Sequence, residues 1–185
     1  MNIVLIGTIG AGKSTIGKAI SKISEFKFAD TDDLIHERMK SVLEETGPIF
    51  NPFLYSEIFY HTEAGVLDEM VEKDGMVIAT GALATSHENI LERLRKNGVI
   101  VRLHPGVETV IAREKRDHRP FMVEKRESYE DAVARDYHTY SDQYLDYDYS
   151  FDVSDEESPE TYAARILDHI NMMNCSQDGN QSANP

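Results

Sequence analysis

The run IVLIGTIGAGKSTIGKAI, residues 3–20, constrains this chain more than any other. Its four opening apolar residues, Ile3–Ile6, read as a buried parallel strand. Ile16, Ile20 and Ile23 then recur at helical spacing. Between strand and helix stand Gly7, Gly12, Lys13 and Ser14, in the pattern G-x-x-x-x-G-K-[ST]. Glycines let the backbone turn its N–H groups inward, the helix brings its positive end, and the lysine adds a fixed cation. That is a cradle for a phosphate chain. Gly10, Ala11, Gly12, Lys13, Ser14 and Thr15 are the expected nucleotide contacts, with Lys13 on the outer phosphates and the Ser14 hydroxyl on Mg²⁺.

The remaining chain supplies matching elements. Apolar bursts at Met76–Ala79 and Val99–Leu103, with weaker ones at Phe26–Ala29 and Tyr149–Val153, predict further strands. Val66, Leu67, Met70 and Val71 share a helical face, and Leu91 and Leu94 mark a helix that stops at Gly98. Alternating strands and helices predict an α/β fold with right-handed crossovers. The 185 residues fit a single domain, expected over 1–170. Residues 46–59, with two prolines and four aromatics, read as an irregular excursion, and residues 171–185 as a frayed, disordered tail.

Composition narrows the function classes. A formal net charge of −14 argues against nucleic acid as the main partner. The single cysteine, Cys175, can form no disulfide within the chain, and no apolar run is long enough to span a membrane. A cytoplasmic protein without membrane attachment is expected.

Two further stretches carry chemistry. In FADTDDLI, residues 28–35, strand alternation would put Asp30 and Asp32 on one side of a second strand. One carboxylate can support magnesium while the other accepts a proton from an attacking hydroxyl. The competing reading is an N-cap cluster for a helix starting near Leu34. In IAREKRDHRPFM, residues 111–122, Arg113, Lys115, Arg116 and Arg119 crowd one part of an acidic chain. A solvated basic helix is the plain account; the sharper one is a mobile lid whose arginine stabilises a transferring phosphoryl group.

Together these residues resemble the shikimate kinase family, a branch of the nucleoside-monophosphate-kinase-like P-loop proteins. The likeness runs in order through the phosphate loop, DTDD (Asp30–Asp33), VIATG (residues 77–81), RDHRP (residues 116–120) and VSDEESPE (residues 153–160). It implies a five-stranded parallel sheet flanked by helices, an acceptor-binding region at about 34–72 and a lid at about 113–130. It implies ATP and Mg²⁺ as cofactors, with phosphoryl transfer to a hydroxyl of a small acceptor. By resemblance Lys13, Asp32 and Arg119 are catalytic and Ser14 and Asp30 serve the metal. Arg113 and Pro159 flank the base, and Asp32, Tyr60, Gly81, Ala82 and Arg135 meet the acceptor.

The chain departs from the family at the acceptor. The three glycines that follow the third strand in the family are Gly81, Ala82 and Leu83 here. The family's F-R-x-x-E reads FYHTE (residues 59–63), so Tyr60 stands where an arginine grips the acceptor carboxylate. Arg135 lies near the family's other carboxylate-binding arginine, out of step with Tyr140. Residues 41–72 contain no lysine or arginine. These departures point toward a less anionic acceptor. Shikimate, another alcohol or polyol, and a nucleotide stay open, as does a nucleotide-binding regulatory module without turnover.

Overall fold

The apolar bursts pair into one parallel sheet. The computed structural model describes residues 1–46, 52–117 and 127–181. Its strands are β1 (Asn2–Ile6), β2 (Lys27–Asp30), β3 (Met76–Ala79), β4 (Gly98–Pro105) and β5 (Tyr149–Val153). They lie in the order β2-β3-β1-β4-β5. All five residues of β1 are buried, as a central strand covered on both faces requires.

Helices α1 (Lys13–Ile23), α2 (Thr31–Thr46), α3 (Pro52–Val71), α4 (Ile90–Arg95), α5 (Val107–Asp117), α6 (Tyr129–Ser141) and α7 (Pro159–Gln181) flank this sheet. On one face Ile16, Ala19 and Ile20 of α1 interlock with Tyr162, Ala163 and Ile166 of α7 over Ile3 and Leu5. On the other, Leu67 and Met70 of α3 and Leu91 and Leu94 of α4 close over Val4, Ile6 and Ile78. A smaller cluster of Ile35, Met39 and Val66 joins α2 to α3.

Three expectations change. Strand β2 ends at Asp30 and α2 begins at Thr31, so Asp32 lies in a helical first turn rather than along a strand. The Asp30 side chain accepts from the Asp32 N–H at 3.0 Å, which starts that helix three residues earlier than Leu34 suggested. The excursion at 46–59 is helical from Pro52 onward, because proline at a first helical position has no N–H to lose and a suitable φ. Finally, α7 continues as backbone helix to Gln181, past the point where apolar periodicity stops. No proline interrupts 171–181. Among the described residues no helix is long and apolar enough to cross a membrane.

The strands' carboxyl ends share one edge. The phosphate loop follows β1, Asp30–Asp32 follow β2 and Gly81 follows β3, so the topology gathers them at the crevice where open α/β sheets bind ligands.

Candidate active site

The phosphate loop is shaped around its own lysine. Gly12 caps α1 with φ 89°, a left-handed conformation that side chains beyond Cβ rarely take. Lys13 is buried, and its ammonium donates to the Gly7 carbonyl at 2.7 Å and the Thr8 carbonyl at 2.9 Å. The cation is thereby held inside the loop, above the helix N-terminus. Next along the helix, the Ser14 hydroxyl donates to Asp30 Oδ2 at 2.5 Å. These are two hard oxygen ligands side by side, the donor chemistry magnesium takes alongside phosphates and water. Among the described residues no group of three or more His, Cys, Asp or Glu side chains forms a metal cage.

Asp32 faces bare backbone. A Cβ on Gly81 would lie 2.5 Å from Asp32 Oδ1 and 3.2 Å from Glu63 Oε1, so only glycine leaves room for both carboxylates. The Gly81 N–H donates to Thr31 Oγ1 at 2.8 Å, which fixes the loop after β3 against the start of α2. Asp32 stays open to solvent on one side. Enclosure by the crevice walls nevertheless raises its carboxyl above the ordinary aspartate value, and the negative charge of Asp30 adds to the rise; Lys13 opposes it. A carboxylate with raised proton affinity beside a phosphate cradle can accept a proton from a hydroxyl.

Behind Asp32 stands a set that the sequence did not assemble. His87 Nε2 and Glu63 Oε2 are 2.8 Å apart and both residues are buried. Tyr60 stacks on the His87 ring, with centroids 4.3 Å apart and planes at 21°. Glu63 was visible only as the last letter of FYHTE, and no local signal singled out His87. Tyr144 is a third addition. It is buried, donates to the Ala82 carbonyl and has its phenol held far above the usual value, by burial first and then by Asp32.

Beside the phosphate loop opens a cavity of about 500 Å³ lined by Gly10, Gly12, Thr15, Arg113, Ser158 and Pro159, among others. Arg113 spans it, donating to the Gly10 carbonyl and to Asp155 Oδ1, each at 2.8 Å. Ser158 caps α7 through the Thr161 N–H at 3.2 Å, which sets Pro159 at the cavity wall. Arg113 and Pro159 thus share one cavity.

Arg135 is half-buried and pairs with Glu127 at 3.1 Å and Asp136 at 3.3 Å. Arg38 pairs with Glu69. Arg119, expected as the lid arginine, lies outside the described residues, within 118–126. Both flanks of that segment are tied together: Tyr129 OH donates to the Glu114 carbonyl at 3.2 Å, and Lys115 pairs with Glu130 at 2.5 Å.

Known proteins resemble this chain in sequence and fold. The family described as shikimate kinase matches residues 9–171. A shikimate kinase of Pseudomonas aeruginosa is 37% identical over 127 residues, 66% of this chain and 69% of that protein. One from Aliivibrio fischeri is 29% identical over 168 residues, 90% and 94% of the respective chains. The solved shikimate kinase of Acinetobacter baumannii, in complex with shikimate, superposes with a TM-score of 0.72 at 26% identity, covering 92% of this chain and 93% of that one. The chain belongs to the shikimate kinase family, ATP-dependent kinases that phosphorylate a hydroxyl of a small acceptor.

Proposed function

We propose that this crevice transfers the γ-phosphoryl group of MgATP to a hydroxyl that Asp32 holds and deprotonates. The observation that carries the reading is the place of Asp32. Its Oδ1 lies against the bare backbone of Gly81, its proton affinity is raised, and Lys13 is close enough to oppose that rise. The acceptor binds over Gly81 and Ala82, against Tyr60, with Arg135 as a further candidate contact. The acceptor oxygen attacks the γ-phosphorus, its proton passes to Asp32, and the bond to the β-phosphate oxygen breaks to release ADP.

Lys13 neutralises charge on the outer phosphates, and backbone N–H groups of Gly10, Ala11, Gly12, Ser14 and Thr15 cradle them. Ser14 and Asp30 would hold Mg²⁺, which supplies charge neutralisation at the phosphates. Arg113 and Pro159 sandwich the base in the 500 Å³ cavity. Arg119 acts from the lid on the charge spreading over the moving phosphoryl group. Shikimate, bound in the Acinetobacter relative, is the first compound to test as acceptor.

Acceptor-dependent ADP release tests the reading, measured with Mg²⁺ against shikimate, neutral polyols and nucleoside monophosphates. The expected result is turnover with at least one acceptor and its loss in Lys13→Ala. Turnover retained in Lys13→Ala would refute the site.

A further inference from the structure

Resting on that phosphotransferase reading, we propose that the acceptor is an uncharged, ring-shaped polyhydroxy compound, selected by Tyr60, His87 and Glu63 acting as one wall. The wall is rigid. His87 is 8% exposed and Glu63 3% exposed, and the 2.8 Å contact between them fixes the imidazole edge-on. Tyr60 lies flat on that imidazole at 4.3 Å, with His61 against it edge-on at 5.8 Å. Yet Tyr60 itself is 47% exposed. A braced aromatic ring with open surface, one helical turn before Glu63 on α3, is a stacking platform for an apolar ring face.

Hydroxyl recognition sits next to it. With Oε2 engaged by His87, Glu63 directs Oε1 to the same backbone point, above Gly81, that Asp32 Oδ1 occupies. Two carboxylate oxygens converging on one point suit adjacent hydroxyl groups, which donate, and do not suit a second carboxylate, which cannot. The local field has the same preference. The Asp32 and Glu63 carboxylates meet at Gly81 and Asp30 accepts from the Asp32 N–H beside them, so this crowd of negative charge repels an anionic acceptor.

Among the described residues, the two arginines that could clamp a carboxylate are engaged: Arg38 with Glu69, Arg135 with Glu127 and Asp136. Helix α3, which carries Tyr60 and Glu63, lies within a stretch, residues 41–72, containing no lysine or arginine. Tyrosine at position 60 brings a hydrogen bond and a stacking face, but no charge.

Steady-state kinetics at saturating MgATP decide it, with shikimate against myo-inositol and glucose as neutral ring polyols, in the wild type, Tyr60→Ala and Tyr60→Arg. The best neutral compound is expected to exceed shikimate at least about tenfold in kcat/KM. Tyr60→Ala should raise its KM about three- to tenfold while kcat falls far less, because stacking contributes equally before and during reaction. Tyr60→Arg should shift preference toward shikimate by about tenfold or more. Since Tyr60 is largely exposed, both variants should melt within a few degrees of the wild type. A shikimate KM in the ~1 μM–1 mM range with kcat above ~1 s⁻¹, exceeding every neutral compound, would overturn the inference and leave the kinase reading standing. An unchanged KM in Tyr60→Ala would overturn it too. Absence of ADP release with any compound, charged or neutral, defeats the phosphotransferase reading and this inference with it.

Discussion

Asp32, the proposed proton acceptor, is ionised at a cost to the fold. Its carboxyl is raised by enclosure and by Asp30, Glu63 and Asp33, so ionising it is harder in the folded chain than in the unfolded one. The sign follows directly. Stability linked to Asp32 is greatest while it is protonated, and it falls as pH climbs from the unfolded value toward the raised folded one. Ionised Asp32 therefore works against the fold, although it is the form that can take a proton. Asp32→Asn should lower kcat by about 10²-fold or more while leaving Tm unchanged or higher. Its neighbour behaves differently. Asp30 is bonded to Ser14 and to the Asp32 N–H, so Asp30→Asn should raise the magnesium needed for half-maximal rate and lower Tm. A magnesium titration and a melting curve for each variant check both statements. Identical titrations would remove the distinction between the two acids. The acids DTDD are legible in the sequence because they follow the phosphate loop after one helix and one short strand. It could not show that Asp30 ends a strand and Asp32 opens a helix, since alternation and capping use the same residue types.

At the scale of elements, the loop from Gly81 to Asn89 is the part of the site least legible in the sequence. It is pinned to α3 by His87 and Glu63, which are 24 positions apart, and to the turn at residues 142–144 by Tyr144. Pairings across such distances leave no periodic trace. The phosphate loop, by contrast, is encoded within eight consecutive residues, and the strands by apolar runs that fill themselves. Of the stretch 46–59, residues 47–51 lie outside the described residues, and from Pro52 on its aromatics and prolines obscured an α3 whose buried face is Glu63, Val66, Leu67 and Met70. The His87 pin has a measurable strength. His87→Ala leaves Glu63 buried without that partner, a loss of about 1–3 kcal/mol for an unsatisfied polar group. Urea unfolding of His87→Ala, Glu63→Gln and the double variant should show coupling: the double loses less than the two singles added. Strict additivity would mean that the pair does not hold the loop to α3.

Across the whole molecule, 33 acidic residues stand against 19 lysines and arginines, and the substrate carrying the phosphate chain is itself an anion. Two electrostatic effects compete, with different reach. Lys13 is buried at contact distance from the loop carbonyls, so salt screens its local attraction little. The surplus of negative charge acts over the molecular surface. At an ionic strength of 0.01 M the screening length is about 30 Å and nearly all of the −14 is felt at the crevice, whereas at 0.15 M it is about 8 Å. Raising salt between these limits therefore relieves repulsion more than it weakens attraction. The kcat/KM for MgATP should rise about two- to fivefold over that range, opposite to the behaviour of an enzyme with a basic funnel. The acceptor then reports its own charge without any substitution: kcat/KM for a neutral compound should stay within about twofold, while an anionic one should climb alongside MgATP. A fall in kcat/KM for MgATP with added salt would show that the cations around the nucleotide cavity, Lys13, Arg113 and Arg116, outweigh the charge of the whole.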